Sequence, residues 1–279
     1  MRTISVAKIS EVISKGIIKA NLFLPSSVKT ALKTSYRKEK IIQAKRSFDK
    51  IIKNFIVAEK DSLPLCQDTG IIVVFIEIGQ NVFLKGEDLH TAVNRAARDA
   101  TKKGFLRSSV VSDPFFRKNT LDNTPVILHT DIVRGDRVKV TVMPKGGGAE
   151  NMSFLEMLTP SVKPQDIEDI VVEKIKRMGT KPCPPIVVGI GLGGNFETCP
   201  LLAKKALLRE NSNSNKFYRK MEESILKKIN RLGIGPQNPQ GGNITCLKVR
   251  ICTAPCHIAS MPLAVNINCH SHRYWSTVL

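Results

Sequence analysis

Three cysteines stand in three unlike settings marked by glycine and proline. They are Cys66 in Leu63-Pro-Leu-Cys-Gln-Asp-Thr-Gly70, Cys183 in Lys181-Pro-Cys-Pro-Pro185 and Cys269 in Asn266-Ile-Asn-Cys-His-Ser-His-Arg273. Short C-x₂₋₄-C spacings build a local metal finger, and these three are far too widely separated for one. If they work together, the whole fold has to gather them. Three thiolates on a metal centre also leave one coordination position free, which turns a structural metal into a Lewis acid.

The chain has 279 residues, enough for one large domain or two lobes, and its hydrophobic share of 42% is that of an ordinary globular protein. There is no run of 18 apolar residues, and the start Met1-Arg-Thr-Ile-Ser-Val-Ala-Lys lacks the apolar stretch of a signal peptide. A cytoplasmic protein with no membrane segment is expected. Seven cysteines, an odd number, argue against a disulfide framework. Cys199, Cys246 and Cys252 lie in helix-like or strand-like patterns and read as small buried hydrophobes.

The net charge of +19 fits a nucleic-acid surface, attraction of anionic substrates or an acidic partner subunit. Basic residues are scattered, densest over Lys33–Lys53, without interleaved aromatics or a zinc-finger spacing. That makes nucleic-acid binding the weakest of the three.

Apolar spacing organises the rest. Residues 1–60 read as a helical N-terminal segment in which Ile41, Ala44, Phe48, Ile51, Ile52 and Phe55 form one face. Residues 61–279 then form the core. Ile71–Ile78 is a β-rich run, and a helix follows with Leu89, Val93, Ala96, Ala97 and Ala100 on one side. After a polar loop over Ser112–Pro125, strands near Val126–Val133 and Arg137–Val142 flank Arg134-Gly-Asp136 and suggest a hairpin. A helix at Pro164–Met178, a strand at Ile186–Ile190, helices at Phe196–Arg209 and Lys216–Leu232, and strands near Ile244–Ile251 and Ala259–Ile267 complete the pattern. The expected class is α+β, one large domain with mixed sheets surrounded by helices.

Gly189-Ile-Gly-Leu-Gly-Gly194 spells G-x-G-x-x-G between a strand and a helix. A dinucleotide site needs a second strand about 20 residues on, bearing an acidic residue. Here that position falls on Glu210 and an Asn/Ser linker, with another helix next, so a βαβ unit is not expected. Glycines that allow close strand–helix packing are the better reading.

Polar residues collect around the three cysteines. Gln67 and Asp68 follow Cys66, and Arg107 offers a bidentate fork for a dicarboxylate. Gly146, Gly147 and Gly148 allow backbone N–H groups to converge on an anion. His257 lies twelve residues before Cys269. Each has a bland alternative: a surface arginine, a turn-forming aspartate, a flexible glycine turn, a core imidazole.

Several ordered motifs resemble the iron-dependent hydro-lyase family of class I fumarases and L-tartrate dehydratases, from about Leu63 to the C-terminus. They are Cys66-Gln-Asp-Thr-Gly70, Lys145-Gly-Gly-Gly-Ala-Glu-Asn151, Cys183-Pro-Pro185 leading to Gly189–Gly194, Leu202-Ala-Lys-Lys-Ala206, Gly233-Ile-Gly-Pro236, and His257-Ile-Ala-Ser-Met-Pro-Leu-Ala-Val265 through Cys269. The resemblance implies a 4Fe–4S cluster on Cys66, Cys183 and Cys269. It implies substrate contacts from Gln67, Asp68, Arg107, the Gly146–Gly148 loop and His257, with Asp68 and His257 as the catalytic pair. Longer members carry a second domain. This chain stops ten residues after Cys269, so the resemblance implies the α subunit of a hetero-oligomer whose separate β subunit completes the site.

Two departures stand out. Gly235-Pro-Gln-Asn-Pro-Gln-Gly-Gly242 differs from the family's Gly-Pro-Met-Gly-type loop, and Cys256 is an extra thiol beside His257. The implied reaction is hydration of fumarate to (S)-malate, with a small dicarboxylate as substrate and L-tartrate dehydration as the runner-up. Outside the class stand an NAD-dependent dehydrogenase built on Gly189–Gly194 and a basic nucleic-acid-binding protein.

Overall fold

A computed structural model describes residues 1–237 and 241–279. It is α+β, and its described part divides into two compact units. The first comprises Met1–Pro25, Asn54–Gly147 and Arg273–Leu279, the second Ser26–Lys53 and Gly148–His272. Among the described residues no helix is long and apolar enough to cross a membrane.

The first unit is built on β2 (Ile71–Gly79), whose residues 72–76 are all buried. A strand covered on both faces carries a continuous apolar run instead of an alternating one. β2 pairs in parallel with β4 (Ile127–Val133) and antiparallel with β5 (Val138–Lys145), and β10 (Trp275–Val278) adds to β5. A short parallel pair joins β1 (Arg2–Ser5) and β3 (Val82–Lys85).

Helix α1 (Val6–Leu22) supplies Ile9, Ile13 and Ile17, one stripe at four-residue spacing. Helix α4 (Leu89–Lys103) supplies Val93, Ala96, Ala97 and Ala100 to the same core, beside Ile72, Val74, Ile76, Val138, Val140 and Val142. The strands flanking Arg134-Gly-Asp136 do not form the expected hairpin, because β2 lies between them. The end of β2 and the turn after it bind them instead: Gly79 N–H donates to Arg137 O, Gln80 N–H to Val133 O and Asn81 N–H to Gly135 O.

The second unit opens with α2 (Ser26–Lys38), and the N-terminal part of α3 (Ile42–Asp61) belongs to it. Its sheet runs β6 (Phe154–Leu158), β9 (Met261–Asn268), β7 (Ile186–Gly194), β8 (Cys246–Cys256), with β7 and β8 parallel. Helices α6 (Pro164–Met178), α7 (Thr198–Leu207) and α8 (Lys216–Arg231) accompany it. Ile167, Val171 and Ile175 of α6 and Met221, Ile225 and Ile229 of α8 close over Val188, Ile190, Val249, Ile251, Val265 and Ile267.

Amid the chain's densest basic stretch, Glu39 is buried, and its two oxygens accept N–H groups from Lys40, Ile41, Asn243 and Ile244 at 2.9–3.3 Å. The loop Gly235–Gly242 falls partly outside the described residues, at 238–240.

The glycine motif lies within β7, not in a turn that cradles a phosphate. A Cβ on Gly189 would stand 2.2 Å from Ala203 O, and one on Gly191 2.3 Å from Cys199 O, both backbone atoms of α7. These glycines let the helix press on the strand. The expectation of no βαβ unit needs correction: β7 and β8 are parallel and joined through α7 and α8, a crossover made by two helices instead of one.

Cys199 and Cys246 are buried, their thiols donating to Gly191 O and Lys248 O at 3.4 Å. Burial pushes the Cys199 thiol up to about 11 and the Cys246 thiol up to about 12. Half-buried Cys252 is raised as well, first by burial.

A folded value above the unfolded one means that the unfolded thiol loses its proton first as pH rises. The contribution of Cys246 is therefore complete below the unfolded value near 9 and declines as pH climbs toward about 12. Between pH 9 and 11 the wild type should lose on the order of 2–3 kcal/mol that Cys246→Ala does not lose. Urea midpoints at three pH values measure this, and parallel declines in the two proteins would show that the thiol contributes nothing.

Candidate active site

In the first unit, the loop before β2 carries Cys66, Gln67 and Asp68. Sγ of Cys66 lies 3.4 Å from Gln67 Oε1 and accepts the Asp68 N–H at 3.4 Å. Asp68 is held at both carboxylate oxygens. Oδ1 accepts Gly70 N–H at 2.9 Å, and Oδ2 accepts Gly147 N–H at 2.8 Å. Gly70 sits at φ +75°, where a Cβ would meet Lys145 O at 2.3 Å, so only glycine lets the loop lie against the end of β5.

Arg273 clamps the loop from behind. It is 3% exposed, and its Nη2 donates to the carbonyls of Asp68 and Thr69. Its Nη1 is buried and finds no hydrogen-bond partner among the described residues. Holding a buried guanidinium there costs desolvation, which the charge-assisted bonds to two carbonyls partly offset. Lys145, 1% exposed, is the other buried cation of this unit.

Gly147 N–H is engaged by Asp68, so the glycine loop first binds the chain's own carboxylate. Arg107 is exposed, with its carbonyl held by the buried Asn123 Nδ2 at 3.1 Å.

In the second unit, Cys183 has φ +53°, a left-handed conformation uncommon for any residue but glycine, and half-buried thiol exposure. Its carbonyl accepts the His270 N–H at 3.2 Å and His270 Nδ1–H at 3.1 Å. Because His270 adjoins Cys269, this pair of bonds joins the Cys183 turn to the end of β9. His272 locks the same segment, taking Asn268 Nδ2–H on Nδ1 at 2.6 Å and donating Nε2–H to Leu207 O at 3.1 Å. That tautomer is the one satisfying both neighbours.

His257 is exposed in the turn between β8 and β9, where its Nδ1 accepts Ala259 N–H at 3.1 Å and leaves Nε2 to carry the ring proton. Gly148 also belongs here, with an added Cβ 3.9 Å from Lys181 O. Cys256 is exposed, and its thiol donates to Ser260 O at 3.4 Å.

Five of the seven cysteines form two contrasting groups. Cys66, Cys183 and Cys269 are partly exposed and lie on loops or a strand end, while Cys199 and Cys246 are buried with thiols pushed upward. Among the described residues no three His, Cys, Asp or Glu side chains gather around one metal ion. An iron–sulfur cluster gives each cysteine its own iron, so its ligands need not share one coordination sphere. The first set has the softness and exposure for that role.

The family model of fumarate hydratase (Fumerase) matches residues 10–278, nearly the whole chain. The chain belongs to the fumarate hydratase family. It is a hydro-lyase of the α-subunit type. A "Putative L(+)-tartrate dehydratase subunit alpha" from Methanocaldococcus jannaschii is 40% identical over 276 residues, 95% of each chain. An "L(+)-tartrate dehydratase subunit alpha" from Escherichia coli K12 is 30% identical over 274 residues, 96% of this chain and 90% of its own.

For this fumarate hydratase family chain, the structure draws Asp68 together with Gly147, and Cys183 with the segment of Cys269. Arg107 and His257 stand exposed, each in its own unit. Arg273, His270 and Lys145 were visible in the motifs only as letters beside Cys269 and Gly146. In a chain of net charge +19 nothing local marks which cations are buried. The bare signal for Arg273 was its place four residues after a candidate ligand.

Proposed function

We propose that this chain is the cytoplasmic α subunit of a heteromeric hydro-lyase that adds water to fumarate to give (S)-malate, with a separate β subunit completing the site. The observation that carries the reading is the two-point hold on Asp68, next to Cys66, by the N–H groups of Gly70 and Gly147. A carboxylate fixed at both oxygens in a glycine cradle is a preorganised proton-handling group. The alternative reading of Asp68 as a plain turn former leaves the bond to Gly147 unexplained.

Cys66, Cys183 and Cys269 would hold a 4Fe–4S cluster, which when bound supplies a Lewis-acidic iron for the C–OH group. The chain's own residues do the rest. The Arg107 guanidinium is shaped for a bidentate hold on a substrate carboxylate. Gln67 offers an amide to a substrate oxygen, and Gly146 and Gly148 leave backbone room for the second carboxylate.

In the dehydration direction, the C–O bond breaks with its electron pair on the leaving oxygen, and that oxygen departs as water by taking a proton from whichever of Asp68 and His257 enters the cycle in its acid form. The carbon-bound proton goes to a base on the partner, and the C–H electron pair becomes the new double bond. The excess of basic residues draws the dianion inward.

A second reading, dehydration of L-tartrate to the enol of oxaloacetate, is favoured by the names of the two relatives described above. The extra hydroxyl of tartrate needs one more polar partner in the site. Anaerobic turnover of (S)-malate and L-tartrate by the chain co-expressed with its β subunit decides between them. Faster turnover of tartrate selects the second reading. Turnover of neither, or full activity of this chain alone, sinks the split hydro-lyase.

A further inference from the structure

Three of the chain's eleven phenylalanines are turned into water on one loop of the first unit. Phe105, Phe115 and Phe116 are 91%, 90% and 90% exposed, and Leu121 joins them at 75%. Such a group on one loop is not the scattered apolar exposure found on any surface.

The loop is built to hold them there. Asp113 Oδ1 accepts the N–H groups of both Phe115 and Phe116 at 2.8 Å. Val111 and Asn119 form an antiparallel bridge, and Ser112 N–H and Lys118 O close the loop's neck at 2.8 Å. Asn123, wholly buried, takes Ser109 N–H on Oδ1 at 2.6 Å and donates Nδ2–H to Arg107 O. Four non-glycine residues, Phe105, Arg117, Leu121 and Asn123, have φ between 49° and 68°. Left-handed backbone of this kind costs roughly 1–3 kcal/mol per residue and persists where the surrounding structure enforces it.

We infer that this loop is the docking surface for the complementary β subunit, a partner whose matching face is an apolar pocket rimmed with acidic residues. The inference rests on the split-enzyme reading above. Charge selects the partner. Between Arg98 and Asp122 the chain has six basic and three acidic residues, and Arg98, Lys102, Lys103, Arg107, Arg117 and Lys118 are all exposed. A second copy would set this basic rim against itself, whereas an acidic face is attracted to it. Rigid aromatic anchors ringed by charge are the usual energetic centre of a protein interface. Arg107 stands between the anchors in sequence, so docking here would bring the partner to a residue assigned to substrate.

The test is titration of the separately expressed β chain against wild type, against the triple variant Phe105→Ser/Phe115→Ser/Phe116→Ser, and against Ile132→Ser. Ile132 is 78% exposed on β4, outside the loop. The triple variant should bind at least about 100-fold more weakly with an unchanged melting temperature, and Ile132→Ser should bind as wild type does. Arg117→Glu/Lys118→Glu should slow association at low salt and much less at high salt.

Wild-type affinity in the triple variant would overturn the surface while leaving the split enzyme standing. No binding of the β chain by wild type would overturn the split enzyme itself. Self-association of wild type that the triple variant loses would assign the surface to a second copy and overturn the proposal.

Discussion

With Cys183 a cluster ligand as proposed, Cys183→Ser should yield a protein without iron–sulfur absorbance or stoichiometric iron, and therefore without turnover, when purified free of oxygen. Serine offers a hard, protonated oxygen where the soft thiolate stood, and a three-cysteine set has no ligand to spare. The substitution leaves the local backbone bonds in place, since Cys183 is held through its carbonyl, engaged twice by His270.

Cys199→Ala and Cys246→Ala should keep full cluster content. Their thiols, pushed up to about 11 and about 12 by burial, stay protonated and face backbone carbonyls. They lose packing and a weak S–H···O hydrogen bond, together about 1–3 kcal/mol. Iron and sulfide analysis separates the two classes, and equal depletion in Cys183→Ser and Cys199→Ala would undo the ligand assignment.

Asp68→Asn should lower kcat by roughly 10²–10⁴, the scale of a removed proton-transfer group. It should also cost about 1–3 kcal/mol of stability, because the amide NH₂ must face one of the two N–H groups that the carboxylate accepts. Arg273→Lys separates chemistry from positioning. Lysine keeps the charge but loses the planar fork that spans the carbonyls of Asp68 and Thr69. It should raise KM and lower the melting temperature while leaving kcat near wild type, whereas Asp68→Asn lowers kcat itself. An Asp68→Asn enzyme with wild-type kcat would remove Asp68 from the chemistry.

Much of the fold could be read directly. The α6 boundaries coincide with the apolar period, and the polar ends of α7 and α8 were recognisable from the Asn/Ser linker between them. Strand partners were not legible. β4 and β5 read as a hairpin because a short turn joins them, yet the fully apolar β2 is the better neighbour for both, and burying it on each side removes more apolar surface from water. In the same way β7 inserts between β8 and β9. The edge strands β1, β3, β6 and β10 leave no readable period in the sequence because each is five residues or shorter.

What the sequence determined by itself was chemical identity: which cysteines sit in turns and which in apolar runs, and which polar residues travel beside them. Those are properties of neighbours along the chain. Tertiary structure alone decided that Arg273 grips the Asp68 loop across some two hundred residues of chain, that Gly147 gives its N–H to Asp68, and that three phenylalanines face water. Burial and hydrogen-bond partnership depend on what long-range packing brings alongside a residue, and no local pattern encodes that.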